Sequence, residues 1–153
     1  MKNLSLLVAL LSFVSACTCG GGNTCNPGAS GCPCKANDAC DTGLVCGAAK
    51  TCGPSTTAGV TVSDPAARGC EVLVTESAGT RIQSVGFASG VVGGFVVEAP
   101  RTAFSFVAPK DAALPNGGVQ LVLSGPVTGL TITQSTCVDS KGQKLAGAAV
   151  TLN

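Results

Sequence analysis

Cysteine is the residue type here whose number and spacing could carry chemistry: ten are present in a chain with no His, Trp or Tyr. Thiolates spaced Cys-x-Cys, as in Cys32-Pro33-Cys34, would suit zinc or copper(I) in a reducing compartment. In an oxidising one the same thiols become disulfides. A redox enzyme wants Cys-x-x-Cys beside a helix start, and no such pair occurs. Without His, Ser/His/Asp and Cys/His catalysis fall away, and only Ser/Lys variants stay formally open. The acidic residues are Asp38, Asp41, Asp64, Glu71, Glu76, Glu98, Asp111 and Asp139, and no two form a recognisable pair flanking one bond. Gly43 to Thr51 ends in Lys50-Thr51, but its spacing is not that of a phosphate loop and it lies between cysteines. Gly90-Val91-Val92-Gly93-Gly94 reads as a bulge or turn. The alternating Asp/Asn of a calcium loop is absent. The expectation is a protein that is not an enzyme, with no cofactor and no metal.

Charge excludes further classes. Nine basic against eight acidic residues give no footprint for a polyanion, so no nucleic acid is expected as partner. Charged residues make up 11% and hydrophobic ones 45%, the reverse of a disordered composition. A length of 153 residues suits one ordinary domain with a small appendage.

The elements that would place these residues begin with a leader. Met1-Lys2-Asn3 is a short cationic start, and Leu4 to Val14 is an apolar run too short to span the about 20-residue depth of a bilayer core. This is the layout of a secretory signal peptide over residues 1–16. The run ends in Val14-Ser15-Ala16-Cys17, which resembles the lipobox of bacterial lipoproteins. That resemblance implies diacylglycerol on the Cys17 thiol, cleavage before Cys17 and further acylation, for example with palmitate. Two or three chains, at about 0.8 kcal/mol per buried CH₂, would hold the protein on the membrane lipid without a spanning helix. Thr18 in the position after the lipidated Cys favours the outer membrane, facing the periplasm or the cell surface. Ordinary cleavage after Ala16, with Cys17 in a disulfide, is the alternative.

Residues 17–53 form a cysteine-rich segment with Cys19, Cys25, Cys32, Cys34, Cys40, Cys46 and Cys52, the last four at intervals of six. Between them lie Gly, Asn, Asp, Pro and Thr, with Leu44 and Val45 as the sizeable apolar pair. So little apolar surface cannot offset the conformational entropy of ordering, and cross-links must substitute at about 2–4 kcal/mol each. Cys25, Cys32, Cys34, Cys40, Cys46 and Cys52 allow fifteen pairings, all open from sequence. Cys19 is then the unpaired candidate, free, bonded to another chain or part of a different pairing. The stretch Cys34-Lys-Ala-Asn-Asp-Ala-Cys40-Asp-Thr-Gly-Leu-Val-Cys46, with Cys52, resembles small extracellular modules such as the amino-terminal region of the Dickkopf proteins. The resemblance implies a disulfide scaffold only.

Gly53-Pro54-Ser55-Thr56-Thr57-Ala58-Gly59 has linker composition, so residues 54–58 are expected to join the module to a domain over 59–153. There β-branched runs are broken by Gly and Pro. Strands are expected at Val60–Ser63, Cys70–Thr75, Arg81–Phe87, Phe95–Ala99, Thr102–Val107, Val119–Leu123, Leu130–Ser135 and Ala148–Leu152. Pro115-Asn116-Gly117-Gly118 and Asp139-Ser140-Lys141-Gly142 are turn chemistry. The fold class is therefore mainly β, an immunoglobulin-like β-sandwich behind a small disulfide-rich module. Cys70 and Cys137, one in an early and one in a late strand, are the expected bridge of that sandwich, and Phe104 and Phe106 share an expected core face. The rhythm from Val85 through Phe106 to Val119–Leu123 is similar to cohesin-like sandwiches, which implies partner docking. Val138 to Leu152 looks like the opening hairpin of prealbumin-type modules. The whole resembles myxobacterial-type envelope lipoproteins, which implies a binding, adhesion or complex-assembly role with an envelope or surface protein as partner. A structural spacer without a ligand, or metal and redox handling by the cysteines, are the alternatives.

Overall fold

The computed structural model describes residues 25–109 and 112–153. The leader over 1–16, Cys17 and Cys19 lie outside the described residues. Nine strands form: β1 (Leu44–Cys46), β2 (Cys52–Val62), β3 (Gly69–Glu76), β4 (Arg81–Phe87), β5 (Val92–Glu98), β6 (Arg101–Val107), β7 (Val119–Ser124), β8 (Leu130–Val138) and β9 (Val150–Leu152). Among the described residues there is no α-helix, only single 3₁₀ turns at Ala36–Asp38 and Val127–Gly129.

The strands build two antiparallel sheets, one ordered β1-β2-β7-β4 with β9 also on β2, the other β5-β6-β3-β8. Period-two alternation decides which side chains meet between them. Val72 and Val74 of β3, Phe104 and Phe106 of β6, and Val119, Leu121 and Leu123 of β7 are buried in one core with Ile82 and Val85 of β4. The Phe104 and Phe106 rings stack with centroids 6.1 Å apart. Both expected turns form. Gly118 N–H donates to Pro115 O at 2.9 Å, and Asp139 Oδ1 accepts from the backbone of Lys141 and Gln143. Gly142, at φ +75, supplies a conformation that a side chain would disfavour.

Residues 54–58, read from composition as a linker, lie inside β2 instead. This strand pairs with β1 through Leu44↔Pro54 and Cys46↔Cys52, then with β7 from Ser55↔Ser124 to Val60↔Val119. Ser55, Thr56 and Thr57 are exposed, so no apolar alternation marks them, yet Ser and Thr fit a paired edge and their backbone groups are satisfied by β7. The cysteine-rich segment is thus continuous with the first sheet. β5 also begins three residues earlier than expected, at Val92, because Gly93 and Gly94 pair with Phe106 and Ser105 instead of turning.

Cys70 and Cys137 are directly opposed partners on β3 and β8, with Cα atoms 4.1 Å apart. Their bridge therefore joins neighbouring strands within one sheet. The close spacing is that of a cross-strand pair without mutual backbone hydrogen bonds.

Candidate functional site

The cysteine-rich segment brings its thiols together in pairs: Cys25–Cys32, Cys34–Cys46 and Cys40–Cys52. The two longer bridges interlock, each spanning twelve residues, and lie side by side with Cys34 and Cys40 sulfurs 4.0 Å apart. Short backbone hydrogen bonds complete the module. Gly31 N–H donates to Cys52 O, Cys52 N–H to Cys32 O, and Cys34 N–H to Lys50 O. Cys34, Cys40 and Cys52 place their sulfurs within 4.8 Å of one another, but each sulfur is committed to a disulfide and is not a thiolate ligand. Four disulfides among the described residues mark an oxidising, extracytoplasmic setting.

One charged cluster of the module also reaches the sandwich. Lys50 Nζ donates to both oxygens of Asp38 at 2.7 Å, and Arg81 of β4 approaches Asp38 at 3.9 Å. The Lys50 hydrogen bonds, which outweigh the opposing desolvation and are helped by the Lys50 and Arg81 charges, hold the Asp38 carboxyl below its ordinary value. Gln83 of β4 donates to Cys46 O at 3.1 Å and to Ser124 Oγ at 3.3 Å, a second tie between module and sandwich. Elsewhere, the buried Glu76 accepts from the Ile82 N–H at 2.9 Å, a structural clasp over the β3–β4 turn.

A surface suited to recognition lies on the outer face of β5-β6-β3-β8. Two cross-strand rows lie side by side there. One runs Gly94, Ser105, Glu71 and Thr136, the other Val96, Ala103, Leu73 and Gln134. Ala103 on the inner strand β6 sits between the taller Val96 and Leu73, and Ser105 and Gly94 leave low ground beside Glu71, so the face is concave there. The resulting groove has a volume of about 410 Å³. Val92 and Val107, opposed across β5 and β6, extend its apolar rim at 63% and 46% exposure. Glu71 is the carboxylate lining the groove, and among the described residues it has no ion-pair partner. Isolated exposed apolar residues are ordinary, but a contiguous apolar trough with a few polar groups is the usual form of a binding surface.

The disulfide candidates of the sequence reading are all found in bridges, whereas none of them lines this groove. The groove residues were missed because alternation along β3 and β6 marks an outward face without saying that it is concave. The signal that could have found them is the pair of small residues, Ala103 and Ser105, on the solvent side of a strand flanked by others. No family model, curated protein or solved structure matches this chain.

Proposed function

We propose that the protein is a membrane-anchored envelope lipoprotein acting as a non-catalytic binding, adhesion or complex-assembly module. Cys17 carries the lipid, the outer membrane holds it, and the groove face of β5-β6-β3-β8 docks an envelope or surface protein. The observation that carries this reading is the apolar trough around Ala103 and Ser105 with the unpaired Glu71 in it. A partner segment with apolar side chains and one basic group would complement it, the charge giving orientation more than affinity. The lipobox at Val14–Cys17 and the similarity of the strand rhythm to cohesin-like, immunoglobulin-like sandwiches support the same reading.

Two measurements test it. Intact mass of the mature protein from membranes, before and after thiol labelling without reductant, reads acylation and free thiols together. Acyl mass with at most one labelled thiol is expected, and an unlipidated chain overturns the anchor. For the groove, the wild-type mature chain and its Ala103→Arg variant are compared as baits against solubilised envelope. A protein retained by the first and released by the second is expected. Retention that Ala103→Arg leaves unchanged removes the groove as the docking face. Retention of no protein by either bait leaves the spacer reading, which the continuous strand β2 between module and sandwich favours.

A further inference from the structure

The edge strand β5 poses a separate problem. Among the described residues it ends its sheet, with β6 on one side and no strand on the other. Its sequence from Val92 to Glu98 contains no Lys, Arg or Pro, and Glu98 at the far end is its charge. Natural edges are normally blunted by such residues, because unpaired backbone groups recruit another strand. Here the strand is open instead: Val96 is 62% exposed and Phe95 45%, and Gly93 and Gly94 are exposed between them and Val92. The opposite edge, β8, is partly covered at its end, where Val138 bridges Lys144 and Leu145 N–H donates to Cys137 O.

We propose that β5 pairs antiparallel with β5 of a second copy of this chain, about a twofold axis through Gly94. The outer face of β5 reads Val92, Gly94, Val96, Glu98, and its first three positions are the same in both directions. A continued sheet must match outer residues with outer residues, since a slip by one reverses every side chain. With Gly94 facing Gly94 of the second copy, Val92 faces its Val96 and Val96 faces its Val92. On the inner side Gly93 faces Phe95 of the second copy. Val92 and Val96 thereby cover each other on both sides of the axis, Phe95 lies over the Gly93 backbone of the second copy, and Glu98 stays beyond the pairing, in water. The neighbouring register, centred on Phe95, sets Val92 against the Glu98 carboxylate and Val96 against glycine, which covers less. A palindromic face is what a self-paired strand requires, because a twofold interface uses the same patch twice. A formal net charge of +1 adds little repulsion between copies. Five paired residues per copy bury less than the about 800 Å² per partner of a standard interface, so the dimer is weak and reversible. Tethering both copies to one membrane would raise their effective concentration.

The test uses residues 20–153, which contain every described residue and the four disulfides found among them and leave out the Cys19 thiol. Sedimentation equilibrium over about 10–500 µM is expected to show a monomer–dimer equilibrium. Val92→Lys with Val96→Lys is expected to return it to monomer with an unchanged far-UV spectrum. Mild oxidation then reads the register. Gly94→Cys, at a position with no atom within 4 Å of an added Cβ, should cross-link to itself. Val92→Cys should cross-link with Val96→Cys when the two are mixed, and neither alone. Intact mass confirms four native bridges plus one between chains. A monomer at the highest concentration, a dimer that survives the two lysines, or cross-linking without regard to position overturns the proposal. Ala103→Arg faces the groove and not the edge, so loss of partner retention and loss of the dimer are separate results.

Discussion

Replacing both Cys70 and Cys137 by Ala should cost the sandwich about 4 kcal/mol, almost all of it through the unfolded chain. The bridge has a sequence separation of 67. Closing a loop of that size removes entropy that the chain-entropy expression puts at roughly 4.4 kcal/mol at 25 °C. The folded state should change little. β3 and β8 are already paired from Gly69↔Val138 to Glu76↔Leu130, so the ladder holds the two positions opposed without the bond. Both side chains are buried, and Ala leaves two sulfur-sized gaps that nudge the cost upward. The chain has no Trp or Tyr, so unfolding is followed by far-UV circular dichroism in urea or by calorimetry. For a domain of about 100 residues each kcal/mol corresponds to about 4–8 °C, so the melting temperature should fall by roughly 15–30 °C. The urea m-value should rise, because the unlinked chain exposes more surface on unfolding. A loss below about 1 kcal/mol with an unchanged m-value would refute the reasoning and mean that the open chain is already held compact by other contacts.

Three further perturbations test other parts of the structure. The Asp38 carboxyl is lowered by Lys50, so its contribution is present above its unfolded value of about 3.9 and is lost as pH falls through the lower folded value. The melting difference between wild type and Asp38→Asn should therefore exist at neutral pH and vanish only below about pH 4. It should also shrink in high salt, as the group is exposed; a difference that disappears near pH 6 would contradict it. Thr102 has 0% exposure and its Oγ1 has no hydrogen-bond partner among the described residues. Thr102→Val keeps the shape and removes that orphan, so calorimetry should show stabilisation of about 1 kcal/mol, and destabilisation would reveal a partner for the hydroxyl. A Cβ at Gly129 would come within 2.0 Å of Thr80 Oγ1, and Thr80 is itself fixed by donating to Pro126 O. Gly129→Ala should cost about 1–3 kcal/mol in a urea titration, and a neutral result would show that the Thr80 clasp yields freely.

Most of the strands could be read from the sequence because burial writes itself as alternation. Val119/Leu121/Leu123 and Phe104/Phe106 announce an inward face, and Pro115–Gly118 and Asp139–Gly142 announce the turns by residues that the turns demand. Strand β1 and the first half of β2 left no such mark. Leu44 and Val45 are only half-buried, and Ser55 to Thr57 face water on a strand held by backbone pairing alone. The disulfide pairings were equally silent. Cysteines at regular intervals satisfy many connectivities, and the choice of Cys34–Cys46 beside Cys40–Cys52 depends on a fold of the backbone that the spacing does not encode. The groove was hidden for a third reason: concavity is a property of four strands together, whereas alternation is a property of one.

These silent features bear on one another. A disulfide module hanging from a Gly-Pro-Ser linker would swing freely and fix only a distance. Here the chain leaves the Cys40–Cys52 bridge directly into β2, and β2 pairs with β1 on one side and β7 on the other. Asp38 reaches Arg81, and Gln83 reaches Cys46 O, so β4 grips the same module from a second strand. Individually the exposed ion pairs are worth little, but rotation of the module would have to break backbone pairing as well. The bridges therefore do more than replace a missing core. They make the segment stiff enough to hold Cys25 at a fixed place against the sandwich, and the orientation of the groove relative to Cys25 is set by β2 instead of by a flexible joint.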